Sequence, residues 1–202
     1  MKVYYDNGKP LLIVGFKESS LTQLFVSYFM KIPNKESKLI SPDEFFQISN
    51  KLDYQFGVAF NGDFLLRKKV IQILNNDGLS CPSFVHESSF FENVNLGKGT
   101  TIFPFCTIND SSVGNFCIIE PYSLIAHHSD IGNNIHIHSG SLIAGRTTIE
   151  DDCTLNFKSS VINKLHICAG TEIGAGSTVT KNITVPGKYV GTPARRIGPT
   201  NV

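Results

Sequence analysis

The sequence predicts a mainly β chain in which a parallel β-helix follows a small α/β domain. Two observations support this fold class. An aliphatic residue recurs at every sixth position through the C-terminal half, and short buried strands alternate with helical segments in the N-terminal part. We place the α/β domain at residues 1–82 and the β-helix, with its C-terminal tail, at residues 83–202.

The N-terminal part alternates strand and helix patterns. In chain order, the segments are LLIVGF (11–16), SSLTQLFVSYFM (19–30), SKLI (37–40), SPDEFFQIS (41–49), QFGVAF (55–60) and DFLLRKKVIQILNNDG (63–78). This alternation predicts a small parallel sheet of the nucleotide-binding, Rossmann-like type. The first loop, GFKESS, has one glycine where a phosphate-binding turn needs two or three. It is therefore either a purely structural loop or an altered binding loop.

The C-terminal part has a six-residue period. The aliphatic positions are Val113, Ile119, Ile125, Ile131, Ile137, Ile143, Ile149, Leu155, Val161, Ile167, Ile173, Val179 and Val185, with earlier copies at Leu96, Ile102 and Ile108. Four places after most of them stands a small residue such as Ser or Cys. Neither an α-helix nor a two-faced sheet has this period. Three six-residue segments that close one triangular turn do have it, with the aliphatic residue inward, and stacked turns form a parallel β-helix.

Composition narrows the function classes. The net charge is +1, and the basic residues are scattered, which argues against nucleic acid or a membrane surface as the main partner. No run approaches the ~20 apolar residues of a membrane span, and no signal peptide is evident. Five cysteines are an odd number, which indicates reduced thiols and a cytoplasmic protein. Cys106, Cys117 and Cys153 fit small core positions of the repeat.

The repeats resemble those of the left-handed β-helix acyltransferases, which use acetyl-CoA or another acyl-CoA. The N-terminal unit, the β-helix and the tail VTKNITVPGKYVGTPARRI (179–197) are together similar to the sugar O-acyltransferase group. That group contains sialic acid O-acetyltransferases and N-acetyltransferases of nucleotide-linked amino sugars, including the bacillosamine type. The resemblance is most specific in SLIAHHSDIG (123–132), IHSGSLIAG (137–145) and IGAGSTVTKN (173–182).

The resemblance implies transfer of acetyl from acetyl-CoA to the amino group of a nucleotide-linked sugar, for surface glycan synthesis. O-acetylation of a sugar hydroxyl is the alternative. The implied enzyme is a homotrimer without a metal, with acyl-CoA in grooves between adjacent β-helices. The catalytic candidates are His127 and His128; the cofactor-binding candidates are His136, Ala144, Gly145, Gly174, Ala175, Lys181 and Arg195; the substrate-binding candidates are Gly15, Phe16 and Asn61.

The chemistry explains the two central assignments. Attack of an amine on a thioester requires a base, and a neutral imidazole, here that of His127, is the side chain best suited to that role near neutral pH. A backbone N–H, here that of Gly145, stabilises the negative charge on the former carbonyl oxygen. Relatives often place an acidic residue or Asn directly after the catalytic histidine to orient it, and this chain has His128. Either neutral His128, Asp130 or a backbone carbonyl orients His127, or His128 is a solvated residue on the opposite face.

Several alternatives remain open at this point. His136 contacts the cofactor or is a surface residue, whereas His86, His138 and His166 are surface or packing residues. Lys181, Arg195 and Arg196 bind phosphate groups of CoA or belong to a solvated face. Arg67 contacts the substrate or is structural. Some left-handed β-helix trimers are carbonic anhydrases with three histidine ligands to zinc, two of them five residues apart, and the histidines of residues 127–138 contain no such pair. A non-catalytic scaffold is a further alternative, because Phe157 stands where relatives have a glycine-rich turn.

Overall fold

The computed structural model describes residues 1–29 and 36–200. The chain forms two compact units, residues 3–84 and residues 85–202 together with 1–2. The helices are α1 (Ser20–Phe29), α2 (Pro42–Gln47) and α3 (Phe64–Asn76), with a 3-10 turn at Lys51–Asp53. The first five strands are β1 (Lys2–Tyr4), β2 (Leu11–Val14), β3 (Ser37–Ile40), β4 (Gln55–Val58) and β5 (Ser83–Val85).

The N-terminal unit contains a three-stranded parallel sheet in the order β3-β2-β4. Leu11 at the start of β2 pairs with Ser37 on one side and Gln55 on the other. Because β2 is central, its four residues are all buried. The strands and helices predicted for this unit are present, and Met30, the last residue of the first predicted helix, lies outside the described residues.

An aromatic core and a buried arginine fix this sheet. Phe25 meets Phe84 edge to face with ring centroids 5.4 Å apart, and Phe45 meets Phe56 in the same way at 5.3 Å. The side chain of Arg67, on α3, is buried, and its Nη1 donates to the Phe60 carbonyl at 2.6 Å. Arg67 therefore anchors the chain just beyond the carboxyl end of β4, which is a structural role.

The C-terminal unit is a β-solenoid of about six coils. Its strands are β6 (Phe90–Glu92), β7 (Asn95–Leu96), β8 (Thr101–Ile102), β9 (Thr107–Asn109), β10 (Ser112–Val113), β11 (Ile118–Ile119), β12 (Leu124–Ile125), β13 (Asp130–Ile131), β14 (His136–Ile137), β15 (Leu142–Ile143), β16 (Thr148–Ile149), β17 (Thr154–Leu155), β18 (Ser160–Val161), β19 (His166–Ile167), β20 (Thr171–Ile173), β21 (Thr178–Val179), β22 (Gly187–Val190) and β23 (Arg195–Gly198).

The solenoid strands form three sheets, one on each side of the triangular coil. Sheet 1 contains β8-β11-β14-β17-β20-β22-β23, sheet 2 contains β6-β9-β12-β15-β18-β21, and sheet 3 contains β7-β10-β13-β16-β19. Apart from the antiparallel β22–β23 pair, neighbouring strands are parallel; between β10 and β21, paired residues such as Ser112 and Asp130 are 18 positions apart. One coil thus spans three hexapeptides, as the sequence predicts.

The interior of the solenoid confirms the repeat and corrects its last copy. The aliphatic residues from Val113 to Val179 are buried, as are Leu96, Ile102 and Ile108. Val185, which continues the six-residue count, is 53% exposed, and Ile183 is buried instead. The reason is that Ile183 bridges to Ile167, so the last corner is shorter than a full repeat allows.

Each corner of the solenoid contains one residue with a left-handed backbone. The third residue after every inner aliphatic has positive φ, and the series is Phe116, Tyr122, His128, Asn134, Gly140, Arg146, Asp152, Lys158, Lys164, Gly170 and Gly176. The fourth residue is a buried Ser, Thr or Cys at nine of these eleven corners, the exceptions being Ile135 and Leu165, and such a hydroxyl or thiol can face a carbonyl of the next coil, as in Ser141 Oγ to Asn156 O at 3.0 Å. This conformation turns the chain sharply from one sheet to the next.

Among the described residues, no helix combines the length and the apolar character needed to cross a lipid bilayer.

Candidate active site at a corner of the solenoid

His127 lies at the corner between sheets 2 and 3, formed by residues 126–129, 144–147 and 162–165; we call it the His127 corner. Ile125 pairs with Ile143, so Gly145 stands directly beside His127 in the next coil. A Cβ on Gly145 would come within 2.8 Å of His127 Nε2 and 2.9 Å of Cε1. Only glycine allows the imidazole to lie this close to the backbone. His127 itself is an exposed residue.

The Gly145 peptide offers an unused donor next to this nitrogen. Gly145 is buried, its carbonyl accepts from Lys164 N at 3.0 Å, and its N–H donates to no group among the described residues. At the corner between sheets 3 and 1, the equivalent N–H of Asn133 donates to the Asp151 carboxylate at 2.7 Å. A buried N–H without a partner is rare, and it can bind a ligand oxygen.

His128 is in direct contact with His127. The two Nδ1 atoms are 2.9 Å apart, and the rings meet edge to face with centroids at 5.1 Å. The φ of +58° at His128 turns the chain, so the ring does not point to the opposite face as it would in a strand. At this distance one Nδ1 carries a proton and donates a hydrogen bond, and the other Nδ1 accepts that hydrogen bond. When His127 donates, its Nε2 is left unprotonated beside Gly145.

A second cluster lies on sheet 1, around Glu120. His136 Nε2 is 2.8 Å from Glu120 Oε1, and His138 Nδ1 is 3.2 Å from the same oxygen. The other carboxylate oxygen accepts from Ser139 N at 3.1 Å and from its hydroxyl at 3.0 Å. The imidazoles of His136 and His138 stack at 3.8 Å, and Phe157 packs on His138 at 4.6 Å.

Glu120 is held in its ionised form by this cluster. Burial raises the pKa of Glu120, but hydrogen bonds and positive charge from His136 and His138 outweigh burial and hold that pKa well below its usual range. The ligand atoms of these three residues lie within 4.8 Å of one another, so they could hold a cation. The contacts to His136 and Ser139 satisfy the carboxylate without one.

The predicted cofactor residues occupy different parts of the solenoid. Three of them lie on the side of the solenoid where sheet 2 leads into sheet 3, namely Ala144, Gly145 and Lys181. Lys181 follows β21 and is three coils from His127. Gly174 and Ala175 lie at the corner between sheets 1 and 2, where Gly174 contacts Val190.

The two remaining cofactor candidates lie on sheet 1. Arg195 is exposed at the start of β23. His136 is 5% exposed, and its Nε2 is bound to Glu120. One chain therefore does not assemble all the predicted cofactor residues at one place.

In the N-terminal unit, a cavity of about 310 Å³ lies at the carboxyl ends of β2 and β3. Gly15, Phe16, Lys17 and Ser41 are among its lining residues, and the predicted residue Asn61 is not. Phe16 packs edge to face on buried Phe60 at 5.3 Å and remains partly exposed. The cavity lies where a parallel α/β sheet binds its ligands.

The cysteines have structural positions. Burial raises the pKa of Cys106 and of Cys153 to about 12, so neither thiol ionises near neutral pH. The Sγ of Cys153 faces the Cys168 carbonyl at 3.4 Å, in the place that Ser or Thr occupies at other corners.

The sequence alone did not single out Glu120, Arg146 or Lys164. A signal was available for Glu120, since His138 follows it by 18 positions, which is one coil. Arg146 follows His128 by 18 positions, and Lys164 follows Arg146 by 18 more. Comparing outward-facing positions 18 residues apart would have matched Glu120 with His138. The same comparison would have aligned His128, Arg146 and Lys164 in one column.

Comparison with known proteins identifies the fold. The chain superposes on PerB from Caulobacter crescentus, in complex with CoA and GDP-perosamine, with a TM-score of 0.79, 21% identity, and coverage of 94% of this chain and 97% of that one. For the acetyltransferase domain of PglB from Neisseria gonorrhoeae the TM-score is 0.80, with 14% identity and coverage of 94% and 100%. The chain has the fold of these proteins.

Sequence comparison gives shorter matches within the repeats. The chain is 33% identical to UDP-3-O-acylglucosamine N-acyltransferase from Methylorubrum extorquens over 106 residues, 52% of this chain and 30% of that protein. It is 33% identical to the bifunctional protein GlmU from Thermodesulfovibrio yellowstonii over 95 residues, 44% of this chain and 21% of that protein. The chain thus spans a third or less of each. No protein-family model matches the chain. These matches confirm the predicted resemblance to hexapeptide-repeat acyltransferases.

Proposed function

We propose that this protein is an acetyltransferase that transfers acetyl from acetyl-CoA to the amino group of a nucleotide-linked sugar, in surface glycan synthesis. The observation that supports the proposal is the close approach of His127 Nε2 to the Gly145 backbone, whose N–H donates to no described group. The shared fold with PerB, whose structure contains CoA and GDP-perosamine, supports the substrate class. A left-handed coil and a Rossmann-like, nucleotide-binding N-terminal unit belong to this proposal, as does a cytoplasmic location.

The proposed reaction is direct transfer without a covalent enzyme intermediate. The amine lone pair attacks the thioester carbonyl carbon while His127 Nε2 takes a proton from the nitrogen. The Gly145 N–H donates to the carbonyl oxygen as that oxygen becomes negative, worth about 3–4 kcal/mol. The C–S bond then breaks, and His127 returns the proton to the sulfur. The base contributes about 10²–10⁴-fold, and binding both substrates in one place contributes much of the rest.

His128 is the orienting partner of His127 in this mechanism. A neutral His128 accepts the His127 Nδ1 proton across their 2.9 Å contact and thereby leaves Nε2 free to act as the base. Asp130, the alternative partner, is engaged with the Ser112 hydroxyl of the preceding coil. No backbone carbonyl among the described residues accepts from the His127 ring.

Binding of CoA in a groove between two copies accounts for the dispersed cofactor residues. Lys181 is three coils from His127, about 14 Å along the solenoid at ~4.8 Å per coil, and would contact a part of CoA remote from the thioester. Gly174, Ala175 and Arg195 would come from the neighbouring copy of a homotrimer, and we retain His136 as a further cofactor contact. Ala144 lines the start of the pantetheine path beside Gly145.

The nucleotide would occupy the cavity at Gly15 and Phe16. Phe16 offers an exposed ring face for a base, and Lys17 offers a positive charge for a phosphate. Asn61 follows β4 at the same edge of the sheet and completes the proposed substrate set.

The proposal is tested by following free thiol release from acetyl-CoA with a panel of nucleotide-linked amino sugars. We expect turnover in the wild type and a loss of about 10²-fold or more in kcat for His127→Ala. The matched control is His166→Ala, a histidine at the solenoid surface whose loss should leave kcat unchanged. Equal rates for wild type and His127→Ala would exclude this mechanism. Turnover with hydroxyl acceptors only would establish O-acetylation instead.

A further inference from the structure

The His127 corner has a column of basic side chains. The left-handed corner residues of successive coils are His128, Arg146 and Lys164, with φ of 58°, 60° and 60°. Equal backbone conformations direct the three side chains the same way, and coils are stacked at about 4.8 Å. We call Arg146 and Lys164 the basic ladder.

The other two corners do not stack basic residues. Their corresponding columns are Phe116, Asn134, Asp152 and Gly170 at one corner, and Tyr122, Gly140, Lys158 and Gly176 at the other. Lys158 is the single basic side chain in these two columns. Within the described solenoid, left-handed positions thus carry basic residues in successive coils at the His127 corner alone.

Neither charge of the ladder is neutralised by the protein. Arg146 and Lys164 are exposed, and among residues 1–29 and 36–200 neither side chain makes an ion pair or a hydrogen bond. Asp110, the preceding member of the column, is bound to Asn93 Nδ2 at 3.1 Å. Two stacked cations repel each other, so an anion bound to both would relieve the repulsion.

Backbone donors run along the same corner. Gly145 and Asn163 each precede a ladder residue, and their N–H groups donate to no described group. At the corner between sheets 3 and 1, the equivalent N–H of Asn115 donates to Asn133 Oδ1 at 2.8 Å, so a side chain of the next coil occupies the position that is open here. The His127 corner thus combines free N–H groups with uncompensated positive charge.

We propose that Arg146 and Lys164 bind two adjacent phosphate groups of a substrate, one coil and two coils from the catalytic histidine. The ligand chemistry is a diphosphate, which both CoA and a nucleotide-linked sugar contain. The assignment rests on the proposed function for the identity of the donor and acceptor, but the ladder binds a diphosphate whatever reaction follows. Charge-assisted hydrogen bonds from a guanidinium and an ammonium hold phosphate oxygens well.

The test is calorimetric titration of the full chain with inorganic pyrophosphate, CoA and UDP or GDP. For Arg146→Gln/Lys164→Gln we expect pyrophosphate affinity to fall about tenfold or more. Lys158→Gln, a lone cation in the same backbone conformation, should change it less than about twofold. The exchange variant Arg146→Lys/Lys164→Arg keeps both charges and should retain binding, which separates loss of charge from loss of folding.

The three ligands distinguish the source of the diphosphate. Weaker binding of CoA with unchanged UDP or GDP binding assigns the ladder to the acyl donor, and the reverse assigns it to the acceptor. The double Gln variant could bind all of the ligands with unchanged affinity, or Lys158→Gln could lose as much affinity as the double variant. Either result would refute diphosphate binding by the basic ladder. The double Gln variant could lose pyrophosphate binding while His127→Ala retains full turnover. That combination would support diphosphate binding by the basic ladder and refute the proposed function.

Discussion

At the scale of single residues, two consecutive histidines face each other because the chain turns between them. In a strand, His127 and His128 would point to opposite sides. The positive φ at His128 instead brings the two Nδ1 atoms to 2.9 Å. One hydrogen bond joins the two Nδ1 atoms and uses one proton. His127 Nε2 can then accept a proton from the substrate only when both rings are neutral.

Substitution of His128 tests its orienting role. We expect His128→Ala to lower kcat by about tenfold, because the His127 ring loses the acceptor that fixes its tautomer. His128→Glu should restore kcat and move the acidic limb of kcat/KM to higher pH, because a carboxylate favours the protonated form of the adjacent imidazole. The measurement is the pH–rate profile of the three proteins. Superimposable profiles would show that His128 plays no part.

At the scale of the element, the hexapeptide predicts the inside of a coil better than its outside. The inner position holds aliphatic residues, and the corner position beside it holds small ones except at Ile135 and Leu165, so both leave a signal in the sequence. The left-handed position tolerates residues as different as Tyr122, His128 and Lys164 because their side chains are exposed. Glycine and Asn usually mark this conformation, and here they are a minority, so composition does not reveal it.

Glu120 and Glu150 form a matched pair of outward-facing contacts. Each follows an inner isoleucine, and each carboxylate contacts a histidine 16 positions on and accepts from a backbone N–H 19 positions on. The Glu120 side chain is 9% exposed and that of Glu150 is 45% exposed. The two sites differ in burial and in number of contacts, since Glu120 also accepts from the Ser139 hydroxyl and lies 3.2 Å from His138 Nδ1.

Replacing each carboxylate compares the contribution of the buried site to stability with that of the exposed site. We expect Glu120→Gln to lower the free energy of unfolding by about 2 kcal/mol at pH 7, because it removes charged hydrogen bonds from a buried site. Glu150→Gln should cause little change, since the exposed contact is screened. Urea denaturation at pH 7 provides both free energies of unfolding. Equal effects of the two substitutions would contradict a larger stabilising contribution from Glu120.

The pH dependence of the same pair has a defined sign. The pKa of Glu120 is lowered in the folded state, so its stabilising contribution is complete above the unfolded value of about 4.3. That contribution is lost as pH falls below about 4 toward the folded pKa. The difference in unfolding free energy between wild type and Glu120→Gln should therefore shrink as pH falls below about 4. A difference that grows in acid would show that ionised Glu120 does not stabilise the fold.

At the scale of the whole molecule, the predicted catalytic and cofactor residues are distributed over more than one corner. His127 and Gly145 lie at one corner, whereas Gly174 lies at another, and one solenoid cannot bring the two corners together. A groove between copies can do so, which is the physical reason for proposing a trimer.

Sedimentation equilibrium checks this assembly. We expect a mass three times that of the 22.2 kDa chain. Mixing inactive His127→Ala chains with inactive Gly174→Val chains should restore part of the activity if each groove takes residues from two copies. A monomer with full activity would contradict a shared site.

The sequence by itself determined the coil and the core, and it predicted a base. The six-residue period follows from the need to fill a narrow interior at every side of the triangle. His127 was predicted as the catalytic base from its local motif and from the chemistry of imidazole. That role remains a proposal, whereas the coil is confirmed, because burial of Ile119, Ile125 and their equivalents is a direct property of the fold.

The tertiary structure alone decided which residues meet between coils. Glu120 joins His136 and His138, Gly145 closes on His127, and Ile183 replaces Val185 in the core. Each of these contacts depends on the register in which one coil is placed on the next. A hexapeptide pattern is the same at every side of the triangle, so it fixes the period of the chain but not the lengths of the corners or the neighbours of the outward side chains.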